Sequence, residues 1–73
     1  MSAFRFLTSG KRGHYSVQRG DVHIGYVTKR SHRIYGKEVI AGWDPETLDR
    51  RALPREDTRE LAARALWDRR PIS

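Results

Sequence analysis

The sequence predicts an α+β domain: a small antiparallel three-stranded sheet, made of a β-hairpin and a third strand, packed by one C-terminal α-helix. Three observations lead there. Residues 14–18 and 22–29 alternate apolar and polar side chains around Arg19-Gly20-Asp21, the pattern of two strands joined by a tight turn. Residues 38–43 resume a period of two that ends on Trp43. Residues 58–69 change to helical spacing behind the polar run Asp57-Thr58-Arg59-Glu60. At 73 residues the chain reads as a single domain over 1–73, because this length can bury only one modest core.

In chain order, Ala3–Leu7 reads as a short first strand and Thr8–Gly13 as a polar loop with two glycines. The loop lacks the G-x-x-x-x-G-K-[ST] spacing with which backbone amides cradle phosphate, so it is not a P-loop. In His14–Gln18, Tyr15 and Val17 share one face. Gly20 then supplies the positive φ of a turn. On the return strand Val22, Ile24 and Tyr26 share a face until Val27 breaks the alternation. Gly25 among them marks a bulge or a close backbone approach. Lys29–Arg33 reads as a second basic loop. From Ile34 the alternation returns, with Tyr35, Val39, Ala41 and Trp43 on one parity and Gly36-Lys37 as a turn before the third strand.

Asp44-Pro45-Glu46 is a helix-start signal, with Asp44 as N-cap and Pro45 at the first helical position. Either a short helix over 45–52 or a loop fits the stretch before Pro54. The last helix, 58–69, is expected to be capped by Asp57, with Glu60 three residues on reaching back as in a capping box. Leu61, Ala62, Ala65 and Leu66 make its apolar stripe, with Trp67 alongside. Arg69 and Arg70 suit its negative end and Pro71 stops it.

Charge is segregated along the chain. Residues 1–43 carry eight basic side chains against Asp21 and Glu38, a net of +6. Residues 44–73 carry seven arginines balanced by seven acids, so this half is neutral. Solubility alone does not require one half to be neutral, whereas a positive face that follows phosphates does concentrate charge. The candidate nucleic-acid contacts are therefore Lys11, Arg12, Arg19, Lys29, Arg30, Arg33 and Lys37. Tyr15, Tyr26, Tyr35 and Trp43 lie among them. Sheet aromatics can stack unpaired bases, but a small sheet needs Tyr15 and Trp43 against its helix. DNA is the expected partner ahead of RNA, because a strand ribbon fits the major groove. A protein-binding or inhibitory role on an acidic partner is the alternative class. An unpaired edge strand also offers a route to a homodimer.

Other chemistries find little support. With no cysteine there is no disulfide and no thiolate zinc site. His14, His23 and His32 recur at intervals of nine without a carboxylate beside them to complete a metal site, so neither a metal nor another cofactor is expected. Ser9, Ser16 and Ser31 form no nucleophile–base–acid set with those histidines, and the expectation is a protein that is not an enzyme. No stretch approaches the roughly 20 apolar residues of a membrane span, and the N-terminal residues lack the apolar run of a signal peptide. A cytoplasmic location without a membrane partner is expected.

Tyr15-x-Val17, the Gly20 turn, Ile24-Gly25-Tyr26-Val27, Trp43 and the helix Thr58-Arg59-x-x-Ala62-x-x-x-Leu66 together resemble small DNA-binding domains of the AP2-like and integrase arm-binding type. The likeness spans about three-quarters of the chain, roughly residues 13–68, with 44–54 as an addition. It implies a three-stranded sheet that enters the major groove, with Arg19, Lys29, Arg30 and Arg33 as contacts.

Overall fold

The computed structural model describes residues 3–8 and 10–69. Its sheet has four antiparallel strands, not three: β1 (Arg5–Thr8), β2 (His14–Arg19), β3 (Val22–Ile34) and β4 (Lys37–Thr47), in the order β1-β2-β3-β4. One helix, α1 (Arg59–Asp68), follows. The three-stranded expectation fails because the first segment, read as Ala3–Leu7, joins the sheet by pairing with β2 from Arg5 to Thr8. Phe6 lies opposite Val17 and Thr8 opposite Tyr15, so Phe6 adds to the apolar face that packs the core. The element order, a meander of strands and then a helix, keeps the fold in the α+β class.

The helix-facing side carries Val17, Ile24 and Val27, which close over Ala62, Ala63 and Leu66 of α1. Phe4, Phe6, Tyr15, Trp43, Leu53 and Trp67 pack around this cluster. The helical stripe is thus rotated from the one expected: Ala63 is buried, while Leu61 is 44% exposed. The cap has moved by one residue as well. Thr58, not Asp57, is the N-cap, and its hydroxyl accepts from the Leu61 N–H at 3.1 Å. Glu60 consequently sits at the second helical position, where it favours the positive end of the helix. Arg70 and Pro71, expected to close the helix, lie outside the described residues.

Two bulges correct the parity read from the sequence. Val17 pairs with Gly25 and Gln18 with His23, so Ile24 is the extra residue. Both Ile24 and Gly25 are buried on the helix side, while Tyr26 is turned to the open face. Gly25 has φ 153°, and a Cβ there would stand 2.6 Å from the Glu46 carbonyl oxygen and 2.9 Å from Leu66 Cδ2. The close backbone approach that Gly25 signalled in the sequence is therefore with α1 and β4. The second bulge lies in β4, where Arg30 pairs with Gly42 but Ser31 pairs with Ile40, leaving Ala41 unpaired. Because of it, Val39 and Trp43 do not share a face.

The segment 45–52 forms no helix. β4 runs through Asp44 and Pro45 to Thr47, then the chain turns and comes back along its outer edge. Trp43 exchanges two backbone hydrogen bonds with Glu56, at 2.8 and 2.9 Å, and Pro45 accepts from the Leu53 N–H at 3.0 Å. Since a strand residue points its N–H and C=O the same way, the missing N–H of Pro45 faces this outer edge and not β3. Pro45 therefore stays in the strand without a gap in the β3–β4 ladder, where it lies opposite Val27 and is buried. Asp44 has no helix to cap and its carboxylate is used by two arginines instead.

Lys29–Arg33 is likewise not a loop. β3 continues as strand to Ile34 and turns at Tyr35-Gly36, whose φ values of 51° and 78° are those of a type I′ hairpin turn. Thr28 pairs with the first residue of β2 and the Lys29 N–H reaches the Gly13 carbonyl; beyond them, among the described residues, β3 is paired with β4 alone. Residues 30–41 are all exposed. The result is a two-stranded arm that leaves the body and draws the molecule out to 48 × 24 × 21 Å.

Candidate nucleic-acid interface

Six of the seven basic residues singled out in the sequence gather at one end of the molecule. Lys29, Arg30 and Arg33 lie on the β3 side of the arm, and Lys37 opens β4 directly after the turn. Lys11 and Arg12 join them because the β1–β2 loop rests on the arm's root. The Lys29 N–H donates to the Gly13 carbonyl at 2.7 Å. Arg12 is close enough to act on the Glu38 carboxyl, together with Lys29 and Arg33.

Arg19 is not part of this group. It ends β2 at the opposite end of the sheet, where its guanidinium lies 4.2 Å from the Trp67 ring centre and 5.9 Å from that of Phe4. There it covers aromatic surface at the foot of the helix.

The arm presents cations on both faces. Cross-strand partners share a face of the sheet. On the helix side lie Lys29, Ser31 and Arg33, with Ile40 and Glu38 opposite the last two. On the other side lie Arg30, His32 and Ile34, with Val39 and Lys37 opposite the last two. Over residues 29–42 there are four cations and one acid, a net of +3.

These cations are not equally available. Lys29 Nζ is bonded to Glu38 at 2.9 Å, and Arg30 is bonded to Asp44, which also takes Arg55 Nε at 3.0 Å. The hydrogen bond and charge of Lys29 hold the Glu38 carboxyl below the ordinary range despite some desolvation. Burial pushes the Asp44 carboxyl up, but Arg30 and Arg55 outweigh it and hold the group below its ordinary value. Among the described residues, Lys11, Arg12, Arg33 and Lys37 have no ion pair within 4 Å. Of the six cations at this end, those four are the ones open to an external anion.

The open face of the sheet is a poorer anion surface than its sequence suggests. Asp44 and Glu46 lie on it, opposite Thr28 and Tyr26. Glu46 pairs with Arg50 at 3.7 Å, and a shallow hollow of about 320 Å³ there mixes Lys11, His14 and Arg50 with that acid. Two of the three histidines, His14 and His23, are tied locally. His14 is within 3.2 Å of the Thr28 hydroxyl, and His23 is within 3.1 Å of the Gly25 carbonyl and meets Tyr26 edge-on. Among the described residues no group of three His, Asp or Glu side chains could hold a metal.

The aromatic faces are mostly taken as well. Tyr15 and Trp43 pack with ring centres 5.9 Å apart, and Arg59 lies over them, 4.3 Å from Phe6, 5.7 Å from Tyr15 and 5.9 Å from Trp43. They are core residues under an arginine lid. Tyr35 is the exception, standing at the tip of the arm with its side chain fully exposed. Arg55 and Arg59, both from the neutral half of the sequence, are the basic residues beside the arm that sequence reasoning missed. One signal was there: an arginine in the first turn of a helix opposes the helix dipole, so Arg59 needed another use.

Among the described residues no helix is long and apolar enough to cross a membrane. Comparison with family models, with curated proteins and with solved structures finds no match to this chain.

Proposed function

We propose that this protein binds nucleic acid, duplex DNA in the first place, with the β3–β4 arm and the adjoining β1–β2 loop as its contact surface. The observation that carries the reading is the position of Lys11, Arg12, Arg33 and Lys37: all four lie on or beside the one projecting element, without an internal ion pair. A two-stranded ribbon is the right width for the roughly 12 Å major groove. Cations on both of its faces can reach phosphates on both walls at once. The sheet face that the resemblance would have used carries Asp44 and Glu46, so the arm is the better candidate.

The test is affinity for a duplex of about 20 base pairs measured against salt. Four phosphate contacts give a slope of log K on log salt near −3.6. Reversing two of the charges, Arg33→Glu with Lys37→Glu, should weaken binding at least tenfold and flatten the slope by about two, with the fold retained. No binding at about 50 mM salt, or binding indifferent to salt, overturns the proposal.

A second reading draws on the apolar side chains of the same arm. Ile34, Val39 and Ile40 are exposed, and among the described residues neither edge of the arm is paired beyond Lys29 on the β3 side or Trp43 on the β4 side. A protein strand, including one from a second copy, could add there. Sedimentation at micromolar concentration without DNA separates the two: a dimer favours strand addition, and a strict monomer that binds DNA counts against it.

A further inference from the structure

The tip of the arm holds a residue that the fold does not ask for. A type I′ turn needs positive φ at both central positions, a requirement that Asn-Gly meets at least cost. Here the pair is Tyr35-Gly36, with Tyr35 at φ 51°. An aromatic residue in the left-handed region is strained. The ring recovers nothing by packing, because Tyr35 is 100% exposed. Its neighbours Ile34 and Lys37 close the hairpin beneath it, and Ile34 is exposed as well. A conformational cost is thus borne to display an aromatic ring at the farthest point of a cationic ribbon.

Resting on the nucleic-acid reading, we infer that Tyr35 is the base-contacting residue of this protein, stacking its ring at a base step that is weakly stacked or mispaired. Length supports this. From Lys29 to the turn, six residues of strand extend about 20 Å, more than the roughly 8.5 Å depth of the major groove. The tip therefore reaches the bases before the body meets the backbone. At that depth the long side chains of Arg33 and Lys37, on the two residue pairs next to the turn, can reach out to the phosphates of the groove walls, while the ring lies against the stacked bases. An apolar side chain carried there by cations acts as a wedge, and its reward is largest where unstacking is already cheap. The phosphate contacts and the ring contact then have separate signatures, one sensitive to salt and the other to the state of the base step.

The experiment compares two duplexes of about 20 base pairs, one fully paired and one with a single central mismatch, by fluorescence anisotropy across a salt series. The wild-type protein should prefer the mismatched duplex by about fivefold or more, the size of one stacking contact. Tyr35→Asn installs the preferred Asn-Gly turn, so it should melt no lower than wild type. It should lose the preference while keeping the salt slope. Tyr35→Phe keeps the ring and should keep the preference. If Tyr35→Asn retains the preference, or if wild type has none, while Arg33→Glu with Lys37→Glu abolishes binding, the assignment of Tyr35 is wrong and the DNA-binding reading survives. If wild type binds neither duplex, both fall together.

Discussion

A methyl group at residue 25 has nowhere to go. It would stand 2.6 Å from the Glu46 carbonyl and 2.9 Å from Leu66, between a sheet strand and the helix that covers it. The backbone at φ 153° is one that L side chains rarely adopt. Gly25→Ala should therefore destabilise by about 2–4 kcal/mol, combining overpacking with backbone strain. A core that among the described residues has six buried apolar members, two of them alanines, has little reserve against such a loss. Urea denaturation measures it, and a change under about 0.5 kcal/mol would show that β3 and α1 approach less closely than these distances require. Gly25 was legible in the sequence because a glycine weakens the strand it interrupts unless a bulge or a close neighbour needs the missing side chain. Arg19 was not legible. Its guanidinium lies over the Trp67 ring, and no spacing in the sequence brings residue 19 to residue 67.

At the scale of elements, the hairpin turn, the last helix and a strand over 38–43 were all legible, because each rests on local periodicity or local turn chemistry, but the end of that strand was not, since β4 runs past Trp43 to Thr47. The failures share a different cause. Asp44-Pro45 carries a sound local helix-start signal, but pairing with β3 overrides it once Pro45 faces the outer edge of the sheet. Lys29–Arg33 looks like a loop because no face of it is apolar, and it is strand because β4 runs beside it. An exposed ribbon has no burial pattern to read. The arm is therefore an addition to the body, and no residue of 30–41 belongs to the core. Replacing residues 31–41 by Asn-Gly would close the hairpin on the Arg30–Gly42 pair with a preferred turn. This shortened protein should unfold cooperatively with stability within about 1 kcal/mol of wild type, and it should lose DNA binding. Loss of the cooperative transition, followed by circular dichroism, would show instead that the arm supports the body.

For the molecule as a whole, charge links the arm to the stability of the body through Asp44. Its carboxylate lies where three pieces of chain meet: Arg30 at the root of the arm, β4 itself, and Arg55 on the returning segment. Burial raises its pKa, and the two arginines lower it further than burial raises it. Glu38 is lowered by Lys29, and Asp49 by the Thr47 hydroxyl. All three groups thus release their protons more readily folded than unfolded. Between the two pKa values the unfolded chain binds more protons, so stability is full above the unfolded value of about 4 and is lost as pH falls through the lower, folded one. The net charge of +6 grows as carboxylates are neutralised, and the added self-repulsion acts in the same direction. Stability to urea should therefore be level from about pH 7 to pH 5 and decline steadily below that. Asp44→Asn removes the most enclosed of the three carboxylates, so its decline should be shallower than that of wild type. The same substitution frees Arg30 at the arm's root, so at neutral pH it should tighten salt-dependent binding to duplex DNA while lowering stability. A variant with the wild-type acid slope and unchanged DNA affinity would mean that Asp44 holds neither the arm's root nor its charge.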